Sequence, residues 1–87
     1  MCTYLTTTTP AAGSGLAADG SGDWFRLRRA VVYFDHPQDA PVEHALCIDF
    51  RGEELARVAV ELDATSARTL AETILATLDS DEARALA

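Results

Sequence analysis

The alternation of apolar and polar positions divides the chain into a strand-rich first two thirds and a helical end. Residues 2–9, CTYLTTTT, are rich in threonine with Tyr4 and Leu5, a composition that fits an extended segment or edge strand. Residues 10–23, PAAGSGLAADGSGD, hold every glycine but one and show neither a helical nor a strand period. They read as a flexible Gly/Ala/Ser loop. From Trp24 to Phe34 the run WFRLRRAVVYF is dense in aromatic and β-branched residues, so it predicts a strand. Its inward positions read Phe25 and Leu27, then Ala30, Val32 and Phe34, and that change of parity predicts a β-bulge near Arg28-Arg29.

A proline-stiffened connection, DHPQDAPVE, leads to HALCIDF, which alternates with a period of two. His44, Leu46, Ile48 and Phe50 share one face, and Ala45, Cys47 and Asp49 share the other. The stretch RGEE reads as a tight turn before LARVAVEL, a strand with Val58, Val60 and Leu62 inward and Arg57 and Glu61 outward. Asp63 then suits a helix N-cap, because its carboxylate can accept first-turn N–H groups. Ala67, Leu70, Ala71, Ile74, Leu75 and Leu78 follow it at i, i+3, i+4, i+7, i+8 and i+11, one continuous apolar stripe. Asp79-Ser80 ends that helix, and DEARALA reads as a short second turn. The expected architecture is a single α+β domain over residues 1–87. It comprises a small antiparallel meander of three to four strands packed on one C-terminal amphipathic helix. The other sheet face would carry Tyr33, Ala45, Cys47 and Ala59, a half-apolar surface suited to a homodimer interface.

Size and charge narrow the classes. A chain of 87 residues has a thin core, which small domains supplement with disulfides, a metal or a partner chain. With two cysteines, and an opening MCTYLTTTTP that resembles no secretory leader, the chain reads as a reduced cytoplasmic protein. No apolar run reaches the ~20 residues that span a bilayer, so no membrane role is expected. The net charge of −7 repels phosphate backbones, and only Arg26, Arg28 and Arg29 cluster among the basic residues, which argues against nucleic acid. The GSG runs at 13–15 and 20–22 neither follow a clear strand nor open a helix, so they do not form phosphate loops.

The segment YFDHPQDAPVEHALCIDF carries the candidate chemistry. If the strands on either side form a hairpin, His36 and His44 meet across its mouth, with Asp35, Asp39 and Glu43 nearby. Two imidazoles with carboxylates can work as acid and base near neutral pH, or hold zinc or another divalent metal. The candidate catalytic residues are therefore His36, His44, Glu43 and Asp35, and the candidate metal ligands are His36, His44 and Cys2. Cys2 enters because removal of Met1 would leave a thiol beside a free amine. Cys47, set mid-strand between Leu46 and Ile48, reads as packing.

The blocks MCTYLT, YFDHP followed by AP-x-EHAL-x-IDF, and RVAVELDATSARTLAETILATL resemble a family of short bacterial proteins that share a domain of unknown function. The resemblance spans nearly the whole chain outside the glycine-rich stretch. It implies that Cys2, Tyr4, Asp35, His36, Pro37, Glu43 and His44 belong to the shared pattern. No activity travels with it. Two functions stay open. One is a small homodimeric protein that binds a small metabolite or divalent metal at the histidine rim and serves an isomerase, cyclase or lyase step. The alternative is a non-catalytic accessory or protein-interaction module.

Overall fold

The structure, a computed structural model, describes residues 5–87. Four strands, β1 (Leu5–Leu16), β2 (Trp24–Asp35), β3 (Ala45–Arg51) and β4 (Arg57–Leu62), form one antiparallel sheet in the order β1-β2-β3-β4. Two helices follow, α1 (Ala64–Leu78) and α2 (Asp81–Leu86). This is the expected α+β meander with a C-terminal helix. Asp63 caps α1 as its side chain suggested, accepting the Ser66 N–H at 2.7 Å. Ser80 repeats the device for α2, which is a six-residue helix rather than a single turn.

The largest departure from the sequence reading is at the N-terminal side. Residues 10–16, expected within a flexible loop, continue β1, and only residues 17–23 turn the chain. The mechanism is local. Pro10 lies on an outer strand, where a missing N–H can face away from the ladder. Gly15 leaves room for Phe25 opposite, whose ring would otherwise stand 3.3 Å from an added Cβ. The connection is itself closed by hydrogen bonds, Ala17 N–H to the Asp23 carbonyl at 2.8 Å and Ser21 N–H to Asp19 Oδ1 at 3.0 Å. Gly20 and Gly22, at φ of 82° and 79°, supply the left-handed conformation it needs.

The irregularity falls at Arg28, where the sequence placed it, but on the partner strand. β2 advances two residues from Leu27 to Arg29 while β1 advances three from Gly13 to Pro10, so the extra residue lies on β1.

Register divides the sheet into two unlike faces. One carries Val32, Phe34, Leu46, Ile48, Val58, Val60 and Leu62, the apolar face that α1 approaches. The opposite face carries Tyr33, Asp35, Ala45, Cys47, Asp49, Arg51, Arg57 and Glu61. Within β3 it is this second, mixed face that is buried: Ala45 is 0%, Cys47 3% and Asp49 5% exposed. Of the half-apolar surface anticipated around Tyr33, Ala45, Cys47 and Ala59, Ala45 and Cys47 are buried, Tyr33 is half-buried and Ala59 is exposed. Charged neighbours on the flanking strands and the connection between β2 and β3 lie across it. The stripe of α1 remains accessible instead, with Leu70 44%, Ile74 50% and Leu75 62% exposed. The helix lies beside the sheet and touches it chiefly at β3.

The turn from β3 to β4 sets the spacing of that hairpin. Gly52 N–H bonds to the Ala56 carbonyl at 3.0 Å, and a Cβ on Gly52 would lie 2.6 Å from both the Arg26 carbonyl oxygen and the Phe25 ring. No side chain fits there. Glu54 takes the left-handed conformation at φ 54°, an uncommon choice for a residue with a Cβ.

Candidate functional site

The β2–β3 ladder ends at the pair Asp35 and Ala45, so His36 and His44 are the next residues out on each strand. Their rings meet there as the hairpin geometry predicts, with centroids 4.6 Å apart and planes inclined by 31°. His44 also lies parallel to Phe34 at 6.1 Å, which ties it to the apolar face. His36 turns toward the mixed face. The pair therefore sits on the rim between the two faces.

Two of the acidic neighbours named from the sequence, Asp35 and Glu43, hold His36 through main-chain hydrogen bonds. Asp35 is buried, and its Oδ1 accepts the backbone N–H of His36 at 2.7 Å. Glu43 contributes its backbone carbonyl, 3.1 Å from His36 Nδ1. A carbonyl can only accept, so this bond places a proton on Nδ1 and leaves the ring's lone pair on Nε2 in the neutral tautomer. Cys2 and Tyr4 lie outside the described residues. Among the described residues no group of three or more His, Cys, Asp or Glu side chains is disposed to hold a metal ion.

Below the rim, the mixed face forms an open basin of 760 Å³. At its far end Asp49 accepts hydrogen bonds from Arg51 Nη2 and Arg57 Nη2, both at 3.2 Å, and from the Tyr33 hydroxyl at 3.4 Å. Bonding to Asp49 pushes the Arg57 guanidinium further above its usual range. Burial raises Tyr33, and the Asp49 charge raises it further. Burial also pushes the Cys47 thiol up, and the carboxylates of Glu61, Asp35 and Asp49 add to that. Cys47 is therefore held as a thiol, its Sγ 3.6 Å from the Ala45 carbonyl, and is packing rather than a nucleophile, as its place in the strand suggested.

Glu61 closes the other end. Its carboxylate accepts the backbone N–H groups of Gln38 at 2.5 Å, Asp39 at 3.2 Å and Ala40 at 3.3 Å. Three successive amides form a concavity that favours an anion, and these bonds hold the Glu61 carboxyl below its usual range. The carboxylate thereby fastens the His36-bearing connection onto β4. None of Tyr33, Asp49, Arg51, Arg57 or Glu61 was singled out from the sequence. The available signal was their shared parity on adjacent strands, which places four charged groups and a phenol on one face of a thin sheet.

No curated protein and no solved structure matches the chain. A family profile does, over residues 1–87, and the chain accordingly belongs to DUF6295, a family of unknown function.

Proposed function

We propose that this chain binds a small polar metabolite in the basin, with His36 and His44 at the rim as its proton-exchanging groups. The observation that carries the reading is the pairing of the two imidazoles beside buried Asp35, with His36 held by the Glu43 carbonyl. A fixed Nδ1–H leaves Nε2 of His36 free to accept or return a proton, as a general acid–base step requires. Isomerase, cyclase or lyase chemistry would use such a step. The basin supplies donors from Arg51, Arg57 and Tyr33 and acceptors from Asp39 and Asp49, a mixed lining suited to a hydroxylated or amide-bearing ligand.

The test is a ligand-observed NMR screen of polar metabolites, followed by mapping of the shifts on labelled protein. Hits should perturb His36 and His44 together with Tyr33, and His36→Ala should abolish the perturbation while the circular dichroism of the fold is kept. Hits that map to the opposite face, or survive His36→Ala unchanged, would refute the assignment. A second reading, an interaction module, is favoured by the exposed stripe of α1.

A further inference from the structure

We propose that the apolar groove between α1 and the sheet is completed by a second copy of this chain. In this assembly α1 packs antiparallel against its counterpart about a two-fold axis near Glu72-Thr73. The single chain is too open for its size. Its radius of gyration is 14.5 Å, whereas a compact chain of this length has about 12 Å. Its accessible surface is 6641 Å², against about 5,000 Å² expected for a folded chain of this mass. Among the described residues no large side chain is fully buried. An excess of about 1,600 Å² is more than enough to supply what one partner contributes to a stable interface, about 800 Å².

Part of the excess lies in the groove between α1 and the sheet, where Leu70, Ile74 and Leu75 are exposed. The groove has a volume of 590 Å³, and its walls are the apolar sheet face and the stripe of α1, with Arg68 and Glu72 the charged residues along it. The order of small and large residues on the stripe selects the occupant. In an antiparallel pair centred between residues 72 and 73, Ala67 lies opposite Leu78 of the other copy. Leu70 lies opposite Leu75, and Ala71 opposite Ile74. Both alanines meet a branched aliphatic side chain and the remaining pair is leucine on leucine, so bulk is matched along the seam. The contact is self-complementary, as a closed two-fold interface requires. A parallel pair would set Ala67 and Ala71 against themselves and leave gaps. A net charge of −7 also disfavours an anionic lipid surface or nucleic acid as the covering partner.

Sedimentation equilibrium of the full chain in the micromolar range should give twice the 9.3 kDa chain mass. Ile74→Glu should return it to a single chain with its strand signal intact. Because that variant could also unfold, cross-linking supplies a second measurement, in a Cys2→Ser, Cys47→Ala background. Ala71→Cys should form a disulfide between copies, since the two positions lie about 4–5 Å apart along the helix axis, whereas Leu78→Cys positions lie about 16 Å apart and should not. A chain mass of 9.3 kDa throughout, or a dimer in which Leu78→Cys cross-links as readily as Ala71→Cys, would overturn the proposal. A dimer that survives Ile74→Glu without Ala71→Cys cross-linking, or a lipid or foreign protein found in the groove by native mass spectrometry, would do the same.

Discussion

Removing the Asp49 carboxylate tests whether the basin is a built structure or a chance meeting of surface charges. Asp49 is 7% exposed at its side chain, and its partners Arg51 and Arg57 are 33% and 45% exposed. A hydrogen bond to a charged group contributes about 1.5–3 kcal/mol when fully sheltered. Two such bonds made by half-exposed guanidiniums keep only part of that, because the freed arginines rehydrate. Asp49→Asn should therefore cost about 1–2 kcal/mol, and Asp49→Ala about 2–4 kcal/mol because it also leaves space beside Cys47. With a urea slope near 1 kcal/mol/M for so small a chain, Asp49→Asn should lower the unfolding midpoint by about 1–2 M. The comparison needs one fixed protein concentration, since association with a second copy would move every midpoint. The loss should persist in 0.5 M salt, as partly buried pairs are weakly screened. A midpoint unchanged within error, or an effect that vanishes with salt, would show that Arg51 and Arg57 are ordinary surface charges.

Other consequences are equally direct. Gly52→Ala should destabilise by about 1–3 kcal/mol, read from a thermal melt, because its Cβ meets the Arg26 carbonyl oxygen and the Phe25 ring at 2.6 Å; a neutral result would mean that the hairpin relaxes freely. Glu54→Gly should raise stability by about 0.5 kcal/mol, since a left-handed Glu54 is relieved at the cost of added chain entropy. Glu61 has a depressed carboxyl pKa, so its stabilising bonds are present above its unfolded-state value and are lost as pH falls through the lower, folded value. Amide protection factors at Gln38, Asp39 and Ala40 should accordingly collapse in acid before those of β2 and β3, and Glu61→Gln should weaken them at neutral pH; uniform loss along the chain would contradict the fastening role.

Much of the fold is legible from residue pattern because single side chains decide it. Asp63 caps α1 whatever the tertiary context, and the alternation of HALCIDF fixes the faces of β3. The meeting of His36 and His44 follows from that register and from a hairpin connection. The continuation of β1 through Pro10 to Leu16 was hidden because its glycines serve the space around Phe25, a demand set by the neighbouring strand. The basin was hidden for a different reason. Arg57 and Glu61 read as outward-facing charges, and only the return of residues 38–40 onto Glu61 turns that face into a basin. The stripe of α1 was correctly placed on one face, yet a sequence pattern says that a face will be covered without saying by which chain.

The bulge and proline of β1 have a consequence for how the protein behaves at high concentration. An outer strand offers a row of unsatisfied amides and carbonyls to which another polypeptide can add, the first step of fibrous aggregation. Here, among the described residues, the threonine run that could template such growth covers Leu5 to Thr9 before Pro10 withholds a donor and the extra residue kinks the ladder. Strand-by-strand growth along this border is therefore interrupted after about two turns of the pleat. A variant with valine at position 10 and one residue of the Ala11-Ala12 pair deleted would restore an unbroken border of about a dozen residues. It should bind thioflavin and scatter light under conditions in which the parent chain stays clear.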